Sequence, residues 1–361
     1  MDKRGSRRRH VTIVDIATAL GISTATVSNA FNRPDQLSSD LRERVLTTAT
    51  TMGYLGPNAA ARSLRRGRLR SVGVLYADRL WNAFADAAFV QFLEGLSRAA
   101  ADADVALTLV PGLPTGDSKV TVVGAAVVDG FVIYSMADDD PLLAAAIARR
   151  LPLVIADSPR LSAVPYAGID DRGAARSAAE HLLRLGHLRF AVVSGDLLSD
   201  RLSGPADQAR QEAATFRVNR ERLRGYRQAL TSAGLDWATV PVEEVAEGLE
   251  REARTATTRI LARQPPPTAI LVMSDRMAWE VLAAIREAGL RVPRDVSVIG
   301  FDDIPLAPFA TPPLTTVRQP HINNGLAAGR QLLAQLEGRQ ADDVSLLPTE
   351  IIVRRSTGHP P

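Results

Sequence analysis

Residues 12–32, TIVDIATALGISTATVSNAFN, allow little besides two short helices crossing at a tight turn. Thr12 is placed to cap the first helix, and Asp15, three residues on, completes a capping-box pattern. Ile13, Ile16, Ala17 and Leu20 recur at helical spacing and make one apolar face. Ala17 is small where a second helix must cross closely. Gly21 stands where a left-handed turn residue is needed, a conformation glycine adopts without steric cost. Ser23 or Thr24 can cap the second helix, with Val27 and Phe31 pointing inward. That leaves Thr24, Ala25, Thr26, Ser28 and Asn29 outward, the short side chains that a helix lying in a DNA major groove needs. The competing reading is a surface helical hairpin that binds nothing. The basic arm KRGSRRR (3–9) reads equally as a phosphate-contacting segment or as a solvated tail.

The segment 37–67 continues without a break. Leu37, Leu41, Val45 and Ala49 recur every fourth residue and predict a third helix that closes a three-helix core, ended by Met52-Gly53. Gly56-Pro57-Asn58 then punctuates the chain ahead of the short run Asn58–Leu64. On three pieces, TIVDIATALGIS-TATVSNAFN, the P-N-A-x-A-R-S-L run at 57–64 and the linker into Ser71-Val72-Gly73-Val74, the chain resembles the lactose-repressor/galactose-repressor family of bacterial transcription regulators. The resemblance runs past residue 350.

Charge placement agrees. The 361 residues are too many for one ordinary domain, and 46% are hydrophobic, enough for a sizeable core. Residues 1–70 hold 13 Lys/Arg against 5 Asp/Glu, a surplus of +8, while the remainder holds 30 against 35, or −5. Such a split suggests a nucleic-acid-binding head on a mildly acidic body. There is no cysteine, hence no disulfide framework and no thiol chemistry. No apolar run reaches 18 residues, and the basic N-terminus leads into a helix rather than a signal-peptide core. These features predict a cytoplasmic protein with no membrane partner, and count against an exported sugar-binding protein.

The body alternates strand and helix. Apolar runs at Val72–Tyr76, Val105–Val110, Gly130–Tyr134, Leu153–Ala156, Phe190–Val193, Ala269–Met273 and Val296–Phe301 predict buried strands. Ala-rich amphipathic stretches such as Phe89–Ala101, Ala174–Leu185 and Ala278–Ala288 predict helices, with Gly186, Gly234 and Gly289 closing last turns. Together they give parallel sheets in an α/β fold. The resemblance implies more: an N-terminal all-α helix-turn-helix headpiece plus an α/β two-lobed periplasmic-binding-protein-like effector domain. The expected bounds are 1–56 for the headpiece, 57–71 for hinge helix and linker, and 72–355 for the effector domain. Lobe one is expected at 72–169 and 303–329, and lobe two at 170–302 and 330–355. The crossings then fall near Ile169–Asp170, Asp302–Asp303 and Gly329–Arg330.

For function, the resemblance implies a homodimer reading a palindromic operator in double-stranded DNA, since one short helix reads only a few base pairs. Thr24, Ala25 and Asn29 stand at the base-selecting positions; Thr12, Ser23, Thr26, Ser28 and Asn32 complete the DNA-facing set. Relatives often carry arginine where this chain has Asn29; arginine prefers guanine and asparagine adenine, so a different half-site is expected at that base. The hinge, about seven residues, is shorter than the roughly 12–15 that sustain an isolated helix, and is expected to fold on operator. Asn58, Ala61, Arg62, Leu64 and Arg65 are its DNA contacts, with Arg66 nearby and Leu64 as the wedge that kinks the duplex from the minor groove.

The effector, a sugar or other small metabolite, is expected between the lobes. Arg222 matches an R-x-x-G-aromatic motif (222–226) whose arginine reaches the effector, and Asp302 matches the crossover aspartate that accepts from it. Ser274 and Asp157 lie at strand ends, and Asp275 reads as an N-cap. Trp81 and Phe84 either supply aromatic walls from lobe one or are loop core. Three departures stand out. No Phe or Trp lies near Gly248-Leu249, where relatives stack one on the ligand. A polar stretch at 196–221 is inserted, which lengthens a helix, lids the cleft or reshapes the pocket; Asp86-Ala87-Ala88-Phe89 replaces the usual start of the first helix. Nothing calls for a metal, cofactor or enzyme activity. Asp138-Asp139-Asp140 reads as an acidic helix start, His181 and His187 lack ligand spacing, and no phosphate loop or nucleophile elbow occurs. No leucine-heptad segment ends the chain, so a dimer rather than a tetramer is expected. Repressor and activator share every residue named here, while a sugar-binding protein without DNA function would lack the basic head.

Overall fold

Three short helices come first: α1 (Ile13–Leu20), α2 (Thr24–Asn32) and α3 (Ser39–Thr51). The computed structural model describes residues 11–33, 36–54, 70–112, 118–246, 251–340 and 343–361. Thr12 and Asp15 form the expected capping box on α1, and Gly21 ends it in the left-handed region at φ 64°. Ser23 caps α2, accepting from the Thr26 amide at 3.0 Å. The two helices meet at 112°, within the range of a helix-turn-helix. Ile16, Ala17, Val27, Ala30, Val45 and Ala49 close the core, with Phe31 packed edge-on against Tyr54 at 5.7 Å.

Residues 70–361 form a second compact unit. In chain order its elements are β1 (Ser71–Tyr76), α4 (Leu80–Ala85), α5 (Ala87–Asp102), β2 (Ala106–Pro111), α6 (Ser118–Ala125), β3 (Gly130–Tyr134), α7 (Pro141–Ala148), β4 (Leu153–Ala156) and β5 (Tyr166–Ile169). There follow α8 (Asp171–Arg184), β6 (Phe190–Ser194), β7 (Gly204–Pro205), α9 (Gln208–Glu212), α10 (Arg217–Ser232), β8 (Val242–Glu244), α11 (Glu252–Leu261) and β9 (Ala269–Val272). The last are α12 (Asp275–Glu287), β10 (Ser297–Asp302), β11 (Thr315–Arg318), α13 (His321–Leu336), β12 (Val344–Leu347) and β13 (Glu350–Ile352).

The strands make two sheets, one per lobe. The first runs β12-β5-β4-β3-β1-β2 and is parallel throughout; the second runs β13-β11-β10-β9-β6-β8-β7, with antiparallel pairs only at its edges. β3, β4, β6, β9 and β10 are buried along their whole length. A strand covered by helices on both faces needs apolar residues at every position, which is why these segments were continuous apolar runs. No single helix among the described residues is long and apolar enough to cross a membrane.

Two crossings lie elsewhere than expected. The chain does leave lobe one between Ile169 and α8. The next crossing is not at Asp302–Asp303, because β11 still pairs in parallel with β10, Ile299 opposite Thr315. It falls after Arg318, where α13 docks on α5 and on strands β3, β4 and β5. Asp302 and Asp303 instead bend the chain at the strand end, with φ 118° and 56°. Nor does the chain cross at Gly329–Arg330, which lie inside α13. It crosses between β12, paired with β5, and β13, paired with β11.

The effector domain also reaches beyond residue 355. Ser356 is fully buried, donates to the Val298 carbonyl at 2.6 Å and accepts from the Thr315 amide at 2.7 Å. His187 Nδ1 meets Thr268 Oγ1 at 2.9 Å, and its Nε2 meets the Gly358 carbonyl at 2.9 Å; His181 meets Thr357 Oγ1 at 3.0 Å. Neither histidine lines the cavity between the lobes.

Glycine permits two helix contacts that position the site. A Cβ on Gly325 of α13 would stand 1.9 Å from the Phe92 carbonyl of α5, and one on Gly225 of α10 would stand 2.2 Å from the Arg172 carbonyl of α8. The glycine of the R-x-x-G-aromatic motif therefore lets two backbones touch.

Candidate functional site

The headpiece presents α2. Thr24 and Ala25 are exposed, and Thr26, Ser28 and Asn29 are half-buried along the same outer side. Thr26 is partly occupied with Ser23, its Oγ1 lying 2.8 Å from the Ser23 Oγ. Asn29 Nδ2 reaches Gln36 Oε1 at 3.4 Å. Thr12, exposed, is held in its capping box by Asp15. The basic arm at 3–9, the side chain of Asn32, and Asn58, Ala61, Arg62, Leu64, Arg65 and Arg66 lie outside the described residues.

In the second unit the lobes enclose a cavity of about 180 Å³. Four residues singled out from the sequence meet there: Arg222, Asp302 and Ser274 from lobe two, and Asp157 from lobe one. Arg222, on α10, is buried. Its Nε donates to Asp171 Oδ1 at 3.1 Å and its Nη1 to the Met273 carbonyl at 2.7 Å, and its guanidinium carbon lies 3.7 Å from the centroid of the Phe301 ring. Burial opposes the charge on Arg222, but Asp171 and Asp302 outweigh it and hold the guanidinium above its ordinary value. Asp302 accepts from Gln319 Nε2 at 2.6 Å; burial pushes its carboxyl well above the usual range, with Arg222 pulling the other way. Asp157 accepts from Asn324 Nδ2 at 2.8 Å. Burial, with Asp171 adding to it, pushes Asp157 up to about 7.

Ser274, not Asp275, is the N-cap of α12: its Oγ accepts from the Met277 amide at 3.3 Å. Asp275 is buried one residue later, accepting from Thr316 Oγ1 at 2.6 Å and the Ile304 amide at 3.0 Å. It ties β11 to the segment after β10, while the preceding serine satisfies the helix end.

Trp81 and Phe84 are not on the cavity wall. Both sit on α4 and are exposed, at 63% and 61%, with the Arg79 guanidinium over the Trp81 ring. The aromatic surface comes from Tyr76 and Tyr134, at the ends of β1 and β3, and from Phe216. Phe216 belongs to the stretch 196–221, which also supplies Asp196, Val218 and Asn219 to the wall. This stretch therefore builds part of the pocket. It is anchored by Arg210, which joins Asp200 to the buried Glu244. It also touches lobe one: Arg220 pairs with Asp138 at 2.8 Å, Ser199 donates to Asp139 at 3.3 Å, and the Asp138 amide donates to the Thr215 carbonyl at 2.9 Å. Asp140 caps α7. Residues 247–250, where an aromatic wall was noted as missing, are outside the described set.

Asp86, Ser135, Gln319 and His321 also line the cavity and were not found in the sequence. Asp86 caps α5. Gln319 and His321 were hidden by the misplaced crossing: they stand on the chain passing between lobes, just after the β-branched run Thr315–Val317.

The description "Bacterial regulatory proteins, lacI family" matches residues 12–58, and "Periplasmic binding protein-like domain" matches residues 179–357. An HTH-type transcriptional regulator of Mycobacterium tuberculosis is 40% identical over 357 residues, 98% of each chain.

The chain belongs to the lacI family of bacterial regulatory proteins.

Among solved structures, a lac repressor dimer bound to operator and the anti-inducer ONPF superposes with a TM-score of 0.80 at 26% identity, covering 97% of this chain and 100% of that one. A complex of the transcriptional regulator CelR with cellobiose gives 0.69 at 27%, covering 96% and 100%. As a lacI-family regulator, the chain joins a DNA-binding headpiece to an effector domain.

Proposed function

We propose that this regulator binds a palindromic operator as a homodimer, in the cytoplasm, and represses transcription under control of a small molecule held between the lobes. The observation that carries this reading is the meeting of Arg222 and Asp302 from lobe two with Asp157 from lobe one around a single cavity. A ligand that bonds groups on both lobes favours one lobe angle over another, and an equilibrium shifts only through such differential contact. In the headpiece, Thr24, Ala25 and Asn29 read bases while Thr12, Ser23, Thr26, Ser28 and Asn32 hold the backbone and register. Asn58, Ala61, Arg62 and Arg65 follow the minor groove, and Leu64 wedges its central step. The lac repressor structure was solved as an operator-bound dimer, and the CelR structure with a sugar, which supports both halves of the proposal. No enzyme chemistry is assigned.

The test is selection of operator from a random duplex pool with purified protein at fixed salt, because phosphate contacts make the affinity salt-dependent. The expected result is a palindrome with a CG step at its centre. Enrichment of a non-palindromic site, or no enrichment with or without a metabolite pool, overturns the reading.

A further inference from the structure

Four carboxylates line the inter-lobe cavity, Asp86, Asp157, Asp196 and Asp302, against two guanidiniums, Arg222 and Arg276. Arg222 is already paired with buried Asp171. Burial nonetheless pushes Asp157 and Asp302 toward their protonated forms, so the wall is poorly solvated and a guest of either charge would lose hydration there.

His321 is unlike the others. It is the first residue of α13, it lines the cavity, and it is 4% exposed. Its Nε2 is buried with no hydrogen-bond partner; the nearest acid oxygen, Asp302 Oδ1, is 3.9 Å away, too far to bond. The ring meets the main chain of Asp302, and burial, with Arg222 adding to it, pushes the imidazole down to about 4. The ring is therefore neutral near pH 7. With Nε2 unpaired, the contact to the Asp302 main chain falls to Nδ1, which must carry the proton to donate to a carbonyl. That leaves Nε2 a bare acceptor. An unpaired buried acceptor is costly, and the direction from which a partner can arrive is the cavity.

We propose that His321 is a specificity-determining residue whose Nε2 accepts a hydrogen bond from a hydroxyl of an uncharged, polyhydroxylated effector. The inference rests on the reading of the cleft as the effector site and names what that site selects. Its placement fits. The backbone contact of Gly325 with Phe92 fixes α13 to lobe one, while the ring rests on Asp302 of lobe two. A hydroxyl on Nε2 is thus held at the point where the chain passes between lobes. Asp157 and Asp302, whose carboxyls burial raises, can accept from or donate to further hydroxyls.

The experiment uses the full chain on its selected operator. The probes are neutral sugars and linear or cyclic polyols, including glucose, cellobiose and mannitol, set against glucose 6-phosphate, gluconate and glucosamine. The readout is the ratio of operator affinities with and without each compound, each variant compared with its own unliganded state. Neutral compounds are expected to change the ratio and charged ones not. His321→Phe keeps the ring but removes the acceptor, and is expected to raise the polyol concentration for half-response about tenfold. His321→Gln, which returns an oxygen near the Nε2 position, is expected to recover most of the response, as a packing defect would not.

Equal loss in both variants overturns the acceptor assignment, as does a His321→Phe response at wild-type concentrations. A response confined to charged compounds, or none from protein that holds operator, overturns the inference and leaves DNA recognition standing. Protein that selects no operator removes the regulator reading itself.

Discussion

Arg222 and Asp171 form a buried pair, Nε to Oδ1 at 3.1 Å, in which the arginine is 6% exposed and the aspartate 2%. Arg222→Ala leaves buried Asp171 with only the more distant Arg217, 3.9 Å away, and is expected to lower stability by about 3 kcal/mol in chemical denaturation. Arg222→Lys keeps a charge but loses the planar fork that reaches Asp171, Met273 and the cavity at once. It is expected to melt closer to wild type yet lose the effector response, measured as operator release. Full response in Arg222→Lys would remove the arginine from the site.

Asp157 makes the unliganded protein pH-sensitive. Its carboxyl is raised to about 7 in the fold by burial, against 3.8 for the ordinary group. A raised group lends stability that is fully present below about 4 and is lost as pH rises through about 7. Asp157→Asn is therefore expected to be more stable than wild type at pH 8, with the gap closing toward pH 4, in melting curves without ligand. A pH-independent difference between the two would contradict the assignment.

Asn29 is the position where base preference should show. Changing Asn29 to alanine is expected to flatten preference at one base pair per half-site, worth about 1–3 kcal/mol, while affinity for unrelated duplex stays constant. Competition with operators carrying an A-to-G exchange at each half-site position reads this directly. Indifference of the wild type at every position would take base reading away from Asn29.

Gly225→Ala drives a Cβ to 2.2 Å from the Arg172 carbonyl. Backbone cannot swing aside as a side chain does, so α10 and α8 must part. A loss of about 1–3 kcal/mol or more is expected in urea titrations. Near-wild-type stability would mean that the helices separate freely.

Arg220 and Asp138 join the inserted stretch to lobe one, both partly open to solvent. Arg220→Ala is expected to leave the melting temperature nearly unchanged, as such pairs add little. It should nonetheless widen the lobe distribution seen by small-angle scattering without ligand. Identical scattering curves would show that the remaining Asp138–Thr215 and Ser199–Asp139 bonds suffice.

Periodicity made the headpiece readable almost residue by residue, because local rules decide short capped helices: Thr12, Gly21 and Ser23 each stand where capping chemistry put them. The central strands were equally plain, being apolar throughout. Strands β7, β12 and β13 at the sheet edges, and the three-residue β8 beside β7, were not, since short or half-exposed segments carry no long apolar run. The crossings depended on which sheet a strand joins, a long-range fact; the turn at Asp302-Asp303 resembles a boundary, and only the pairing of β11 with β10 shows otherwise. Arg222, Asp302, Ser274 and Asp157 came from motif and strand-end logic. Phe216 and His321 did not, because nothing local tells a polar insertion or a histidine after proline that it faces a cavity.

The residues after Arg355 are woven into lobe two through Ser356, Thr357 and Gly358. An expression plasmid cut at residue 355 would strip the Thr315 amide and the Val298 carbonyl of their partners and yield a weakened sheet, not a trimmed one. A purification handle placed at that end belongs on a spacer beyond Pro361, so that His181 and His187 keep Thr357 and Gly358 as partners.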